Sequence, residues 1–173
     1  MKTILAKYKF DGVWHFTDRS NLELIVKHKG LLSLAELERR KIKIPLPGGN
    51  EWSHDADKKK GVHEYVHLAF VDDHPMFYRA KQDGRIPDPI WLKIDSSILL
   101  QSGARFCSEV SNKSGAAIFD SDESTKRIDF EVLFTYMNWR DPEIQARRQA
   151  AIKSEILVPD FVSVEKILGY KNG

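Results

Sequence analysis

Glu155 stands where the stretch Gln149-Ala150-Ala151-Ile152-Lys153-Ser154 runs into the apolar segment Ile156-Leu157-Val158-Pro159. A carboxylate entering a buried strand is costly unless it is paired or put to use. Two readings follow: an ordinary salt bridge, or an acid, base or charge stabiliser aimed into a pocket by a fixed backbone. His15 lies between Trp14 and Phe16 on an otherwise apolar strand, as a hydrogen-bonded core histidine or a ligand-binding one. Arg40 offers a planar fork of donors matched to anions, or simply a solvated helix face.

His63-Glu64-Tyr65-Val66-His67 matches the zinc-peptidase pattern H-E-x-x-H. That chemistry needs a helix, because only there do two histidines four residues apart converge on one metal. The run continues as Leu68-Ala69-Phe70-Val71, which favours a strand. In a strand the two rings stand roughly 13 Å apart at about 3.3 Å per residue. The pattern is therefore read as a chance match, and no metal is expected.

These residues need elements to position them. Thr3 to Tyr8 and Gly12 to Thr17 have strand character. Ser20-Asn21-Leu22-Glu23 and Ser33-Leu34-Ala35-Glu36 have the form of capping boxes, each opening a short helix, the second carrying Arg39 and Arg40. Lys43 to Gly61, with Pro45, Pro47 and Gly48-Gly49-Asn50, reads as a long loop with Trp52 in its middle. Tyr65 to Val71 alternates as a strand with Val66, Leu68 and Phe70 on one face, and Ile90 to Ile94 does the same. Phe130 to Phe134 fits a helix or a strand. Asp141-Pro142-Glu143 is a helix start, with an N-cap aspartate, a proline whose missing amide costs nothing, and an acid suited to the helix dipole.

Composition removes several classes. A length of 173 residues, 42% hydrophobic and 30% charged, suits one soluble domain spanning 1–173. No apolar run approaches the roughly 18 residues that cross a bilayer, and the lysine-interrupted N-terminus is not a secretory signal. Cys107 is the only cysteine, so no intrachain disulfide is possible and a reducing cytoplasm is expected. The net charge of +2 does not announce nucleic acid. Three basic clusters, Arg39 to Lys43, Lys58-Lys59-Lys60 and Arg147-Arg148, are either phosphate contacts or solvated surface.

Taken in order, the features resemble the DNA ADP-ribosyltransferase toxins of the DarT type over nearly the whole chain. Gly12 to Leu22 is similar to the opening motif of that family, and Glu38-Arg39-Arg40 to its arginine-bearing helix. His63-Glu64-Tyr65-Val66, Phe70 and Pro75-Met76-Phe77-Tyr78 resemble its central segment, written H-D-Y-V-P-x-x-F and P-M-L-Y. Asn138 to Glu143, Arg147 to Ala150 and Glu155 to Val158 resemble its substrate-reading loop, helix and catalytic glutamate. Two departures stand out. Ala151 to Ser154 insert about one helical turn before the glutamate. The segment Phe106 to Ala117 carries Ser108, Asn112 and Ser114, where thymidine-modifying members have a histidine.

The resemblance implies an α+β fold, an ADP-ribosyltransferase-like split central β-sheet flanked by short helices. It implies NAD+ as substrate and transfer of ADP-ribose to a guanosine or thymidine base in single-stranded DNA. Glu155 and Arg40 become the catalytic residues. His15, Thr17, Asn21, Tyr78 and Phe70 become the NAD+ contacts, and Trp139, Arg147, Arg148, Trp52 and Lys59 the DNA contacts. A monomer opposed by an antitoxin hydrolase of macrodomain or NADAR type is expected. The alternatives are transfer to RNA or protein, a non-catalytic nucleic-acid-binding module, and the zinc peptidase.

Overall fold

A computed structural model describes residues 1–173. The helices are α1 (Lys2–Tyr8), α2 (Leu22–Lys27), α3 (Leu34–Arg39), α4 (Glu51–Lys60), α5 (Pro75–Gln82), α6 (Ser121–Arg127), α7 (Phe130–Phe134) and α8 (Pro142–Ala151). The strands are β1 (Gly12–Asp18), β2 (Gly30–Leu32), β3 (Tyr65–Ala69), β4 (Pro89–Asp95), β5 (Arg105–Cys107), β6 (Ile118–Phe119), β7 (Glu155–Pro159), β8 (Phe161–Ser163) and β9 (Ile167–Asn172). The fold is α+β, as expected.

Seven strands form one antiparallel sheet in the order β6-β5-β7-β3-β1-β4-β9, and β2 pairs with β8 in a separate ribbon. The sheet is nearly divided at its centre. β1 runs alongside β4 from Gly12↔Asp95 to Asp18↔Pro89, and β3 alongside β7 from Tyr65↔Pro159 to Ala69↔Glu155. Between β1 and β3, however, only Trp14↔Ala69 are in register. Beyond that point the His15 ring takes over from the ladder, its Nδ1 donating to the His67 carbonyl at 3.0 Å. A carbonyl can only accept, so this bond fixes the tautomer and leaves Nε2 as an acceptor. The cleft opened by the two diverging strands is where the split sheet places its cavity.

β7 is flanked by β3 and β5 and is covered on both faces, which explains its unbroken apolar run: Ile156, Leu157 and Val158 are fully buried. Ile156 and Val158 pack with Val66, Leu68, Phe106 and Phe130 in the main core. Gly30, at φ 153°, closes the β2–β8 ribbon, where a Cβ would run into the Val162 carbonyl.

Several local expectations change. Thr3 to Tyr8 is helical in α1, not a strand, because Ile4, Leu5 and Tyr8 then share one face and pack on the core. The polar stretch read as loop contains helix α4. Asn50 Oδ1 caps it by accepting from the Ser53 amide at 2.9 Å, and Gly61 ends it in the left-handed region after three lysines suited to the C-terminal dipole. The box at Ser20 does not form: Asp18 Oδ1 accepts from the Ser20 amide and hydroxyl at 2.9 and 2.7 Å, and Arg19–Asn21 make a 3-10 turn before α2. At α3, Ser33 Oγ does cap the Glu36 amide, but the Glu36 carboxylate turns to Arg39 and Arg40. Phe130 to Phe134 resolves as helix α7, and Asp141 caps α8 as predicted, accepting from the Glu143 amide at 2.8 Å.

Candidate active site

A cavity of about 230 Å³ lies in the cleft between β1 and β3. His15 and Thr17 of β1, Tyr65 and His67 of β3, and Glu155 at the start of β7 line it, with α4 contributing Ser53, His54 and Asp57. All of β3 borders the cavity, from Tyr65 to Ala69, but Val66 and Leu68 are also buried in the core, while Tyr65 and His67, one residue out of step, are less covered.

Glu155 is 6% exposed and far from unpartnered. Its Oε2 accepts from the Ser111 hydroxyl at 2.6 Å, from the Ser111 amide at 3.1 Å and from His67 Nδ1 at 3.3 Å. The other oxygen, Oε1, has only His74 Nε2 near it, at 3.7 Å. The other ring nitrogen of His67, Nε2, lies 3.1 Å from the Val62 carbonyl, so both of its nitrogens face acceptors and the ring suits an imidazolium. Burial works against charge on His67, yet the Glu155 carboxylate outweighs it and raises the ring to about 9. Burial likewise opposes the Glu155 anion, but His67, His74 and Ser111 hold the carboxyl down to about 2. The resulting pair is a buried carboxylate and an imidazolium that keeps 30% of its side-chain surface open.

His74 differs from His67. Its Nδ1 accepts from the Met76 amide at 3.3 Å, capping α5, so the proton sits on Nε2 and faces Glu155. Burial, despite the nearby Glu155, moves this ring below its ordinary value and keeps it neutral. Burial also lowers His15, against the pull of the His67 carbonyl. No group of three or more His, Cys, Asp or Glu gathers in a metal-holding arrangement. His63 and His67 sit on a 3-10 turn and a strand, not on the helix a zinc peptidase needs.

The predicted residues are placed unevenly. Glu155, His15, Thr17 and Asn21 meet at the cavity. The Asn21 amide is occupied there: Nδ2 donates to Thr17 Oγ1 at 3.0 Å and to the Leu46 carbonyl at 2.7 Å, and Oδ1 accepts from the Leu46 amide at 3.3 Å. Asn21 thus ties the loop before α4 to the cavity wall. Phe70 is a correction. It is 2% exposed within the core, 5.3 Å ring to ring from Phe130, and does not line the cavity. Tyr78 also stands outside the lining, half exposed, with its hydroxyl donating to Asp73 at 3.1 Å; Met76 of the same helix lines the cavity in its place. Arg40 lies between the lining residues Leu34 and Ile44 in sequence, but its Nε is held by Glu36 at 2.6 Å and it does not line the cavity.

Outside the cavity, Arg147 is engaged by Asp129 at 2.7 and 3.0 Å and by Glu131 at 2.8 Å, which fastens α8 to α7. Arg148 lies 5.4 Å from the Trp139 ring centroid and 3.3 Å from Asp73. Tyr136, strongly exposed, meets Trp139 edge to face at 6.5 Å. Trp52 and Lys59 are exposed on α4. His74, Ser111 and Asp57 were not singled out from sequence, and His67 was weighed only as a metal ligand of the zinc-peptidase pattern. The β3 alternation was a signal for His67; for the other three no local signal exists.

A cleft in a split antiparallel sheet, lined by apolar and polar side chains and holding the buried Glu155 carboxylate, has the chemistry to offset positive charge on a bound molecule. This is the arrangement of an ADP-ribosyltransferase. The chain belongs to the DarT family, described as ssDNA thymidine ADP-ribosyltransferases, which it matches over residues 14–170. Among solved structures it is similar to a Thermus sp. 2.9 DarT in complex with ADP-ribosylated ssDNA, at 18% identity and TM-score 0.67, covering 91% of this chain and 78% of that one. It is similar also to a Thermosipho africanus DarTG in complex with ADP-ribose, at 22% identity and TM-score 0.70, covering 93% of this chain and 43% of that one. A further Thermus sp. 2.9 DarT, in complex with NAD+, aligns at 20% identity and TM-score 0.58 over 91% of this chain and 79% of its own. None of the curated proteins compared matches this sequence.

Proposed function

We propose that this chain cleaves the bond between nicotinamide and ribose in NAD+ and transfers ADP-ribose to a nucleobase of single-stranded DNA, in the manner its family description states for thymidine. The observation that carries this reading is Glu155, a buried anion lining the cavity at the entrance of β7, with Oε2 engaged by three donors and Oε1 without a hydrogen bond. As the C1′–N bond lengthens, positive charge grows on the ribose. A carboxylate fixed beside it offsets that charge without reorganising.

His15 Nε2 and Thr17 supply hydrogen-bonding groups toward the NAD+ ribose or nicotinamide, and Asn21 keeps them in place by holding Thr17 and Leu46. Arg40 contributes once its guanidinium leaves Glu36 for a phosphate, and Tyr78 contributes a ring beside Met76. Trp139 with Tyr136 offers faces for unstacked bases, with Arg148 beside them, while Trp52 and Lys59 extend the strand's path along α4. A monomeric cytoplasmic enzyme, opposed by a macrodomain- or NADAR-type hydrolase that removes the mark, completes the reading. Guanosine and thymidine are separated by mass spectrometry of nucleosides after reaction with mixed oligonucleotides.

The test is Glu155→Gln, which keeps the shape and removes the charge. Labelling of a single-stranded oligonucleotide with NAD+ falls by on the order of 10²- to 10³-fold while the circular dichroism spectrum is kept. Undiminished labelling would sink the reading.

A further inference from the structure

We propose that Asp57 on α4 is the group that takes the proton from the acceptor base, leaving Glu155 as a permanent anion; this rests on the transfer reaction proposed above. The two carboxylates sit on different walls of one cavity, Glu155 on the sheet and Asp57 on the helix. They are partnered in opposite ways. Glu155 Oε2 already receives three donors, two from Ser111 and one from His67. A carboxylate so engaged has little affinity left for a proton.

Asp57 Oδ1, by contrast, is buried and has no hydrogen-bond partner. Its helix face is the one turned to the cavity: Ser53, one turn earlier, lines the same space and accepts from Asn112 Nδ2 at 3.1 Å. An orphaned carboxylate oxygen is costly, and the cost is removed when a donor arrives with the substrate. A ring N–H of a nucleobase is such a donor. Among the histidines beside the cavity, His67 faces two acceptors and carries its protons, His74 Nδ1 is engaged by the Met76 amide, and His15 Nε2 is given above to the NAD+ ribose or nicotinamide. Burial raises the Asp57 carboxyl from its ordinary value against the pull of His67 and of an Asn112 hydrogen bond, while Glu155 is held at about 2. Two carboxylates whose surroundings drive them apart in this way divide the roles of base and anion.

The step balances without an added reactant. The base nitrogen forms its bond to C1′ of the ribose. The C1′–N bond to nicotinamide breaks, and its electron pair neutralises the pyridinium. The N–H proton passes to the Asp57 carboxylate and then to solvent.

Asp57→Asn tests this, since it keeps the size of the side chain and the helix. NAD+ affinity by calorimetry stays within about threefold of wild type, while kcat for oligonucleotide labelling falls by roughly 10²- to 10⁴-fold. The pH profile carries the second readout. The charged and titratable groups around Asp57 are His67 and Glu155 from the strands, His54 from its own helix and His63 from the turn after it. In the wild type, labelling declines as pH falls and Asp57 is protonated. In Asp57→Asn the plateau above the Asp57 titration is lost, and the rate climbs with pH throughout as hydroxide ionises the base directly. Asp57→Glu recovers part of kcat and the plateau. A wild-type kcat in Asp57→Asn, or a loss of NAD+ affinity that accounts for the whole fall, overturns the assignment. If the wild type itself labels no strand, the transfer reaction proposed above fails, and this assignment with it.

Discussion

The pairing of His67 with Glu155 makes folding stability depend on pH in a defined direction. Raising His67 from 6.5 to about 9 on folding is worth about 3 kcal/mol at roughly 1.4 kcal/mol for each pH unit. The folded value lies above the unfolded one, so this contribution is fully present below about pH 6.5 and is lost as pH rises through about 9. Glu155 moves the other way, from 4.5 to about 2, so its contribution is present above about pH 4.5 and lost as pH falls through about 2. The two shifts describe one interaction and are counted once. The pair therefore holds its full strength between about pH 4.5 and 6.5. Urea unfolding of wild type and His67→Gln at pH 6 and pH 9.5 measures it: the wild type loses about 3 kcal/mol more than the variant over that interval. A proton NMR titration of the His67 ring, with its midpoint near 9, is the direct reading. A midpoint near 6.5, or equal losses in the two proteins, would refute the pairing.

Arg39 and Arg40 share Glu36, but Arg39 also reaches Asp160 at 3.3 Å and Glu64 at 3.7 Å. Arg40→Ala is expected to impair labelling strongly while the fold holds, and Arg39→Ala to leave kcat little changed and lower the melting temperature; equal, negligible effects on labelling would show that the arginine has been misplaced. Trp139→Ala is expected to weaken single-strand binding by about 1 to 3 kcal/mol, the worth of one stacked base, as fluorescence anisotropy would show. Arg147→Ala is expected to lower thermal stability and leave that affinity nearly unchanged, because Asp129 and Glu131 already occupy the guanidinium.

The sequence by itself determined much of the frame. Alternation marked β3 and β4, and the apolar run Ile156-Leu157-Val158 marked a buried strand, with Glu155 at its entrance. Asp141 announced α8 through a cap that forms as read, and Ser33 announced α3 through the serine half of its box. The order of motifs placed the chain in its family. Those signals are local: a cap, a period or a turn is written within a few residues.

The chemistry of Glu155 is not local, and only the tertiary structure decided it. His67 and Ser111 reach that carboxylate from 88 and 44 residues away, through the registers of β7 with β3 and β5. α4 escaped notice because a polar helix resting one face on a cavity has no apolar period to display, and with it went Asp57. Phe70 turned into the core and Arg147 into an ion pair because their partners, Phe130, Asp129 and Glu131, come from a distant segment. A side chain's partners depend on which strands pair and in what register. That is settled by burial summed over the whole chain, not by the residues beside it.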